Sequence, residues 1–286
     1  MKPPVTGHIL QDADPARWAE HRFGLSVGRW AALRQRCLWV TGAGSGFGRA
    51  IAVALAAAGA RVVLSGRREA ALKDSLAEMD SLGISSRQCR AVPLDVTDES
   101  QVAAACRQVH SDCGNVYGLV HCAALPTEPG RERPLLEGSH GYWQVLLATN
   151  VTGPWLLTRS AFPLMRAGGQ ARVVLLSSGA GWAFTSGFGP YNVSKAAVNC
   201  LGGSLAAEMA AAAPEMDIQC NVLDPGQART QMNRSSPASP YSVVSMTMML
   251  LSHPGGGPNG MFFHRDGRHL EFASSGVYPR SLSEVR

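Results

Sequence analysis

Tyr191 and Lys195 stand four positions apart in the run Tyr191-Asn192-Val193-Ser194-Lys195, and Ser178 precedes the tyrosine by thirteen positions. On a helix, side chains at i and i+4 share one face, so an ammonium can lie beside a phenol. A free phenol has a pKa of about 10 and a neighbouring cation favours its ionised form, a tenfold change in proton affinity being about 1.4 kcal/mol. A phenol tuned in this way can give a proton to a carbonyl oxygen as hydride arrives at carbon, or take it back in the oxidative direction. Ser178 would hold the same oxygen through its hydroxyl. Taken alone, the letters Y-x-x-x-K are a weak signal, and the surrounding elements must decide.

Those elements point one way. The apolar run Val173-Val174-Leu175-Leu176 reads as a buried parallel strand, with small and polar residues at the carboxyl end where open α/β sheets bind ligands. From Tyr191, YNVSKAAVNCLGGSLAAEMAAAA has the composition and apolar spacing of a long helix. Upstream, CLWV, RVVLSG, QCRAVPLDV and VYGLVHCAA read as four earlier strands, and DIQCNVLDPG as a sixth. Between them RAIAVALAAAGA, REAALKDSLAEMDSLG, DESQVAAACRQVHSDCG and YWQVLLATNVTGPWLLTRSAFPLMRAGG read as helices. Strands alternating with helices predict right-handed crossovers and an α/β fold, a doubly wound parallel sheet with helices on both faces.

The 286 residues (30.3 kDa, 45% apolar) suit one large α/β domain. Residues 1–36 read as an N-terminal extension, 37–268 as the domain and 269–286 as a tail. In the extension, Trp18, Phe23, Leu25, Trp30 and Leu33 read as packing residues of a short helix or two, and Asp14-Pro15 as a helix start. The formal charge of +5 is modest and the arginines form no basic run, which argues against nucleic acid and suits an anionic cofactor or substrate. Seven cysteines (Cys37, Cys89, Cys106, Cys113, Cys122, Cys200, Cys220) without a C-x-x-C pair read as free thiols of a reducing compartment. With no apolar signal core and no membrane-length run, a cytoplasmic protein is expected, and no metal is.

Gly42, Gly46 and Gly48 lie between a predicted strand and helix. The first permits the turn, the second lets the backbone approach a pyrophosphate at the helix N-terminus, and the third permits close packing. At the end of the second strand, where a carboxylate would take a ribose hydroxyl, the chain has Ser65-Gly66-Arg67-Arg68. An arginine there can neutralise a 2′-phosphate, so NADP(H) is expected over NAD(H).

In order and spacing, T-G-A-G-S-G-F-G at 41–48, L-D-V-T-D at 94–98, T-N-V-T-G at 149–153, L-S-S at 176–178, Y-N-V-S-K at 191–195 and D-P-G-Q-A-R-T at 224–230 resemble the short-chain dehydrogenase/reductase family over about residues 34–268. The resemblance implies a single-domain, Rossmann-like fold, a nicotinamide cofactor and a catalytic tetrad of Asn150, Ser178, Tyr191 and Lys195. It implies that Lys195 also binds the nicotinamide ribose and that Asn150 helps hold a proton-relaying water. Cofactor contacts are implied for Gly42, Ser45, Gly46, Phe47, Gly48, Arg67, Arg68, Asp95, Val96, Cys122, Ala123, Tyr191, Lys195, Pro225, Gly226, Ala228 and Thr230, with Asp95 and Val96 beside the adenine and Pro225, Gly226 and Thr230 near the nicotinamide amide.

Three departures stand out. His121-Cys122-Ala123-Ala124 replaces the family's N-N-A-G, the segment after Thr230 leaves little room for a helical lid, and Arg265-Asp266-Gly267-Arg268 replaces the more usual ending. The leading expectation is an NADP(H)-dependent oxidoreductase acting on a ketone or secondary alcohol, the substrate being small or carrier-linked, such as a nucleotide sugar or acyl group. The rival is a nucleotide-binding sensor or structural protein that does not turn over. Trp182, Phe184 and Phe188 serve either as pocket lining or as core. Gly202, Gly203 and Ala206 on the helix from Tyr191 would let a second copy approach, giving a homodimer or homotetramer.

Overall fold

Leu38 and Val40 of the first strand, β1 (Cys37–Thr41), pack on one face of the sheet and Cys37 and Trp39 on the other, the period-two alternation of a strand buried on both sides. The computed structural model describes residues 18, 20–126, 134–183 and 186–270; Asp14-Pro15, Phe184 and the tail beyond residue 270 lie outside the described residues. Six further strands follow: β2 (Arg61–Gly66), β3 (Cys89–Pro93), β4 (Gly118–His121), β5 (Gln170–Leu176), β6 (Asp217–Asp224) and β7 (Phe262–His264). All pairings are parallel, in the order β3-β2-β1-β4-β5-β6-β7. Crossovers run outward in both directions from β1 and β4, so a crevice opens beyond the carboxyl ends of these two strands. The seventh strand escapes a sequence reading because it is three residues long and is defined only by pairing with Val222–Asp224.

The helices are α1 (Val27–Ala32), α2 (Gly46–Ala57), α3 (Glu69–Ser81), α4 (Glu99–Cys113), α5 (His140–Leu147), α6 (Gly153–Arg166), α7 (Ala180–Ala183), α8 (Pro190–Ala212) and α9 (Val244–Leu251). One apolar layer joins α2, α3 and α9 to the sheet and takes in Trp18, Phe23, Leu25 and Leu33 from the chain's beginning. Trp18 is 1% exposed, with its ring 5.3 Å from Phe23 and from Tyr241. These aromatics are therefore core. The other layer packs α4, α6 and α8.

The helix expected across residues 142–167 is divided. A π-helical stretch, Ala148–Thr152, separates α5 from α6, and Asn150 sits in it. Such stretches widen a helix by a residue and turn side chains out of the regular row.

The small residues of α8 do not all face outward. A Cβ on Gly202 would lie 2.2 Å from Val222 Cγ2, so this glycine brings α8 down onto β6, and Ala206 is buried in the same layer. Only Gly203 of the three has open space. Among the described residues, no helix is long and apolar enough to cross a membrane.

Candidate active site

Where β1 ends, the chain must turn sharply into α2, and glycine makes the turn possible. Gly42 has φ +65°, and a Cβ there would sit 2.8 Å from the Ala123 nitrogen; one on Gly48 would sit 2.3 Å from the Gly42 oxygen. The N-terminus of α2 thus lies against a cleft of about 790 Å³ along the strands' carboxyl ends. Ser45 is the N-cap residue, its hydroxyl unused for capping, and Phe47 packs on the apolar layer while bordering the cleft. A turn narrowed by glycine to bare backbone, with unpaired helix N–H groups behind it, fits the pyrophosphate of a dinucleotide.

Along the rim beyond β2, Arg67 and Arg68 are exposed, and Arg68 donates to Gln231 Oε1 at 3.2 Å. At the third strand's end, Asp95 Oδ1 accepts from the Thr97 amide (3.0 Å) and hydroxyl (2.8 Å), while Val96 is buried against Gly153. The opposite wall is the loop after β6. Pro225, Gly226 (φ +61°), Ala228 and Thr230 all border the cleft. The Gly226 amide donates to Asp224 Oδ1 (2.9 Å), and the Thr230 methyl lies against Gly46. Arg265 holds this loop, donating to the carbonyls of Pro225 (3.3 Å) and Gln227 (2.8 Å) and to Ser242 Oγ (2.8 Å). Its place in an unusual chain ending carried no signal, because its partners lie 23 to 40 residues earlier.

The His121-to-Ala124 departure resolves into two parts. His121 turns away from the cleft, its Nε2 2.8 Å from Thr158 Oγ1 on α6, and burial drives the ring down to about 3, so it is neutral at pH 7. Cys122 and Ala123 border the cleft, and both amides donate to Thr41 Oγ1 at 3.2 Å. Burial pushes the Cys122 thiol up, opposed by the Lys195 charge beside it.

Ser178 lies two residues beyond β5, and Tyr191 and Lys195 fall in the first turns of α8, after Gly189 (φ +43°) and Pro190. Ser178 and Tyr191 are hydrogen-bonded, and both line the cleft with Lys195. Lys195 is 3% exposed; its Nζ donates to the Leu176 carbonyl at 3.0 Å and stands 5.6 Å from the centre of the Tyr191 ring. Burial raises the Tyr191 phenol to about 12, outweighing the Ser178 hydrogen bond, and Asp224 and Tyr142 add to the rise. Burial also lowers Lys195 to about 8. The expectation that the ammonium draws the phenol below its usual pKa is therefore not what this geometry gives: the cation is turned to the end of β5, and burial governs both groups.

Asn150 stands behind the cleft rather than on its wall. It is 2% exposed, its Oδ1 accepts from the Leu125 amide (2.7 Å), and its Nδ2 donates to the Leu125 carbonyl (3.0 Å) and to Ser194 Oγ (3.1 Å). It ties the segment after β4 to α8. Of the aromatics, Phe188 borders the cleft at 39% exposure, with its ring 6.4 Å from Tyr191. Trp182 instead packs edge-on to Phe262 of β7 at 4.0 Å, because the seventh strand supplies it an apolar partner. Thr41, Leu125 and Tyr142 join the site only through the fold; of these, Thr41 was visible beforehand as the first letter of the glycine motif.

The sequence and fold comparisons agree with this geometry. The family model for short chain dehydrogenases matches residues 36–240. The human dehydrogenase/reductase SDR family member 4 is 32% identical over 202 residues, 71% of this chain and 69% of the relative. A rat (3R)-3-hydroxyacyl-CoA dehydrogenase is 32% identical over 229 residues, 78% and 85% of the two chains. A Shigella flexneri protein whose structure was solved with NADP superimposes with a TM-score of 0.74 at 25% identity, covering 82% of this chain and 99% of that one. With the glycine turn, the Ser178–Tyr191 pair and the buried lysine in one crevice and the family model spanning most of the sheet, this chain belongs to the short-chain dehydrogenase/reductase family of oxidoreductases.

Proposed function

We propose that this chain is an NADP(H)-dependent oxidoreductase that interconverts a ketone and a secondary alcohol, with Ser178, Tyr191, Lys195 and Asn150 as its tetrad. The observation that carries the reading is the Ser178–Tyr191 hydrogen bond opening onto the cleft beside a buried lysine. Gly42, Gly46 and Gly48 would hold the pyrophosphate, Asp95 and Val96 the adenine side, and Pro225, Gly226 and Thr230 the nicotinamide end. Arg67 and Arg68 would take a 2′-phosphate, and structural relatives solved with NADP or NADPH support that choice. The cofactor, when bound, supplies or accepts the hydride.

The rest is proton handling by the chain itself. Ser178 orients a carbonyl oxygen, and Tyr191 donates the proton to it. With the phenol pushed to about 12, that proton is present throughout the physiological range. Lys195 places positive charge behind the phenol, and Asn150 fixes the start of α8 through Ser194. Between Thr230 and Pro240 no helix covers the cleft, which supports a bulky or carrier-linked substrate. The hydroxyacyl-CoA dehydrogenase among the relatives makes an acyl group the first to try.

The test is to mix purified protein with NADPH and a broad carbonyl panel, acyl thioesters included, and to follow loss of NADPH absorbance. Turnover that falls by about 10²–10⁴ in Tyr191→Phe supports the reading. A second reading, a nucleotide-binding protein that does not turn over, is favoured by one observation: the Lys195 ammonium is held by the Leu176 carbonyl while the phenol stays high. Nicotinamide fluorescence that reports binding, with no turnover across the panel, would establish it.

A further inference from the structure

At the amino ends of the strands, on the far side of the sheet's length from the cleft, two cysteines meet that the proposed reaction does not use. Cys37 is the first residue of β1 and Cys113 the last of α4, and their thiols are hydrogen-bonded to one another. The backbone holds them there. Tyr117, shortly after α4, donates its amide to the Cys37 carbonyl at 2.9 Å. Arg61, the ladder partner of Cys37 on β2, donates its guanidinium to the carbonyl of Asp112. Cys37 is buried at 3% exposure, whereas Cys113 lies at the margin of the same apolar layer and is partly open to solvent.

The two thiols differ in character. The Cys37 hydrogen bond and the Arg61 and Arg90 charges, working against burial, bring Cys113 down to about 7. Cys37 is driven the other way, by donating that hydrogen bond and by burial. Solvent access, a cationic neighbour and a thiol partner are the three features of a cysteine that oxidises selectively.

We propose that Cys37 and Cys113 form a peroxide-sensitive dithiol, in which Cys113 is the attacking thiol and Cys37 the resolving one. The Cys113 thiolate attacks one oxygen of hydrogen peroxide. An S–O bond forms, the O–O bond breaks, and hydroxide leaves to become water. The Cys37 sulfur then attacks the Cys113 sulfenic acid. The S–S bond forms, the S–O bond breaks, and a second water departs with the Cys37 proton. Two thiols lose two electrons and one peroxide gains them. The product joins the amino end of β1 to the carboxyl end of α4, closing the first three βα units into one loop.

The experiment treats the full chain with stoichiometric hydrogen peroxide, blocks remaining thiols and maps peptides by mass spectrometry. The expected product is a crosslink between the Cys37 and Cys113 peptides, 2 Da below the sum of the two reduced peptides, reversed by dithiothreitol. Cys37→Ala should stop at a Cys113 sulfenic acid that dimedone captures. Iodoacetamide labelling of Cys113 in untreated protein should have its midpoint near pH 7, and Cys37→Ala should move it toward the ordinary thiol value of about 8.5. Oxidation falling on the exposed Cys200 while the Cys37 and Cys113 peptides stay reduced would overturn the proposal. So would a Cys113 labelling profile that Cys37→Ala leaves unchanged.

Discussion

Lys195→Met should make the protein more stable, by an amount the structure sets. The ammonium is 3% exposed and burial lowers it from 10.5 to about 8, which corresponds to about 3 kcal/mol held against the folded state at neutral pH. Methionine keeps the length of the side chain and removes the charge, but it leaves the Leu176 carbonyl without its 3.0 Å donor, a loss of about 1–2 kcal/mol. The net expectation is a gain of about 1–2 kcal/mol, or a rise in melting temperature of roughly 2–4 °C at this chain length. The pH dependence gives a sharper test. A folded-state pKa below the unfolded one means that between about pH 8 and 10.5 the unfolded chain carries a proton that the folded chain lacks. Wild-type stability therefore rises with pH through that window, and below pH 8 the whole cost is present. The advantage of the variant should be constant below pH 8, shrink as pH rises beyond that, and turn into a deficit of about 1–2 kcal/mol above about pH 10.5, where only the lost hydrogen bond remains. Urea unfolding of both proteins across that range, without nucleotide, reads it directly. A Lys195→Met protein less stable than wild type at pH 7, or a difference that ignores pH, would refute the view that the lysine is held at a cost for its role in the cleft.

Tyr191→Phe should lower turnover by about 10²–10⁴ while nucleotide affinity, followed by fluorescence, stays within twofold, because the phenol's proton is needed in the transition state. Arg67→Ala should weaken NADPH binding more than tenfold and leave NADH binding nearly unchanged, as the loss of one charge-assisted phosphate contact requires; equal effects on both nucleotides would count against the 2′-phosphate assignment. Phe188→Ala should change KM or substrate preference with little loss of stability, whereas Trp182→Ala should cost about 2 kcal/mol in urea unfolding, since its ring packs on Phe262. Light scattering at micromolar concentration should return a dimer or tetramer through the outer faces of α6 and α8, where Trp155 and Val193 are 41% and 38% exposed; a mass near 30 kDa would exclude it.

The alternation of apolar runs with amphipathic ones was enough, by itself, to determine the doubly wound sheet, because strand and helix periods are local properties of the chain. The glycines at 42, 46 and 48 were legible for the same reason: their need for bare backbone arises within one turn, as the clashes of an added Cβ bear out. The spacing of Tyr191 and Lys195 likewise placed both on one helix face. Orientation and burial were not local. Whether Lys195 bonds the phenol or the end of β5, and whether desolvation or the neighbouring charge governs Tyr191, depends on what the sheet, α8 and the loop after β6 exclude from water together. Trp182 gained an apolar partner only because a three-residue strand arrives from eighty positions later, and Arg265 gained its role only because the segment just after that strand folds back on the loop it holds. Contacts between distant segments carry no periodicity in the sequence, and tertiary packing alone decided them.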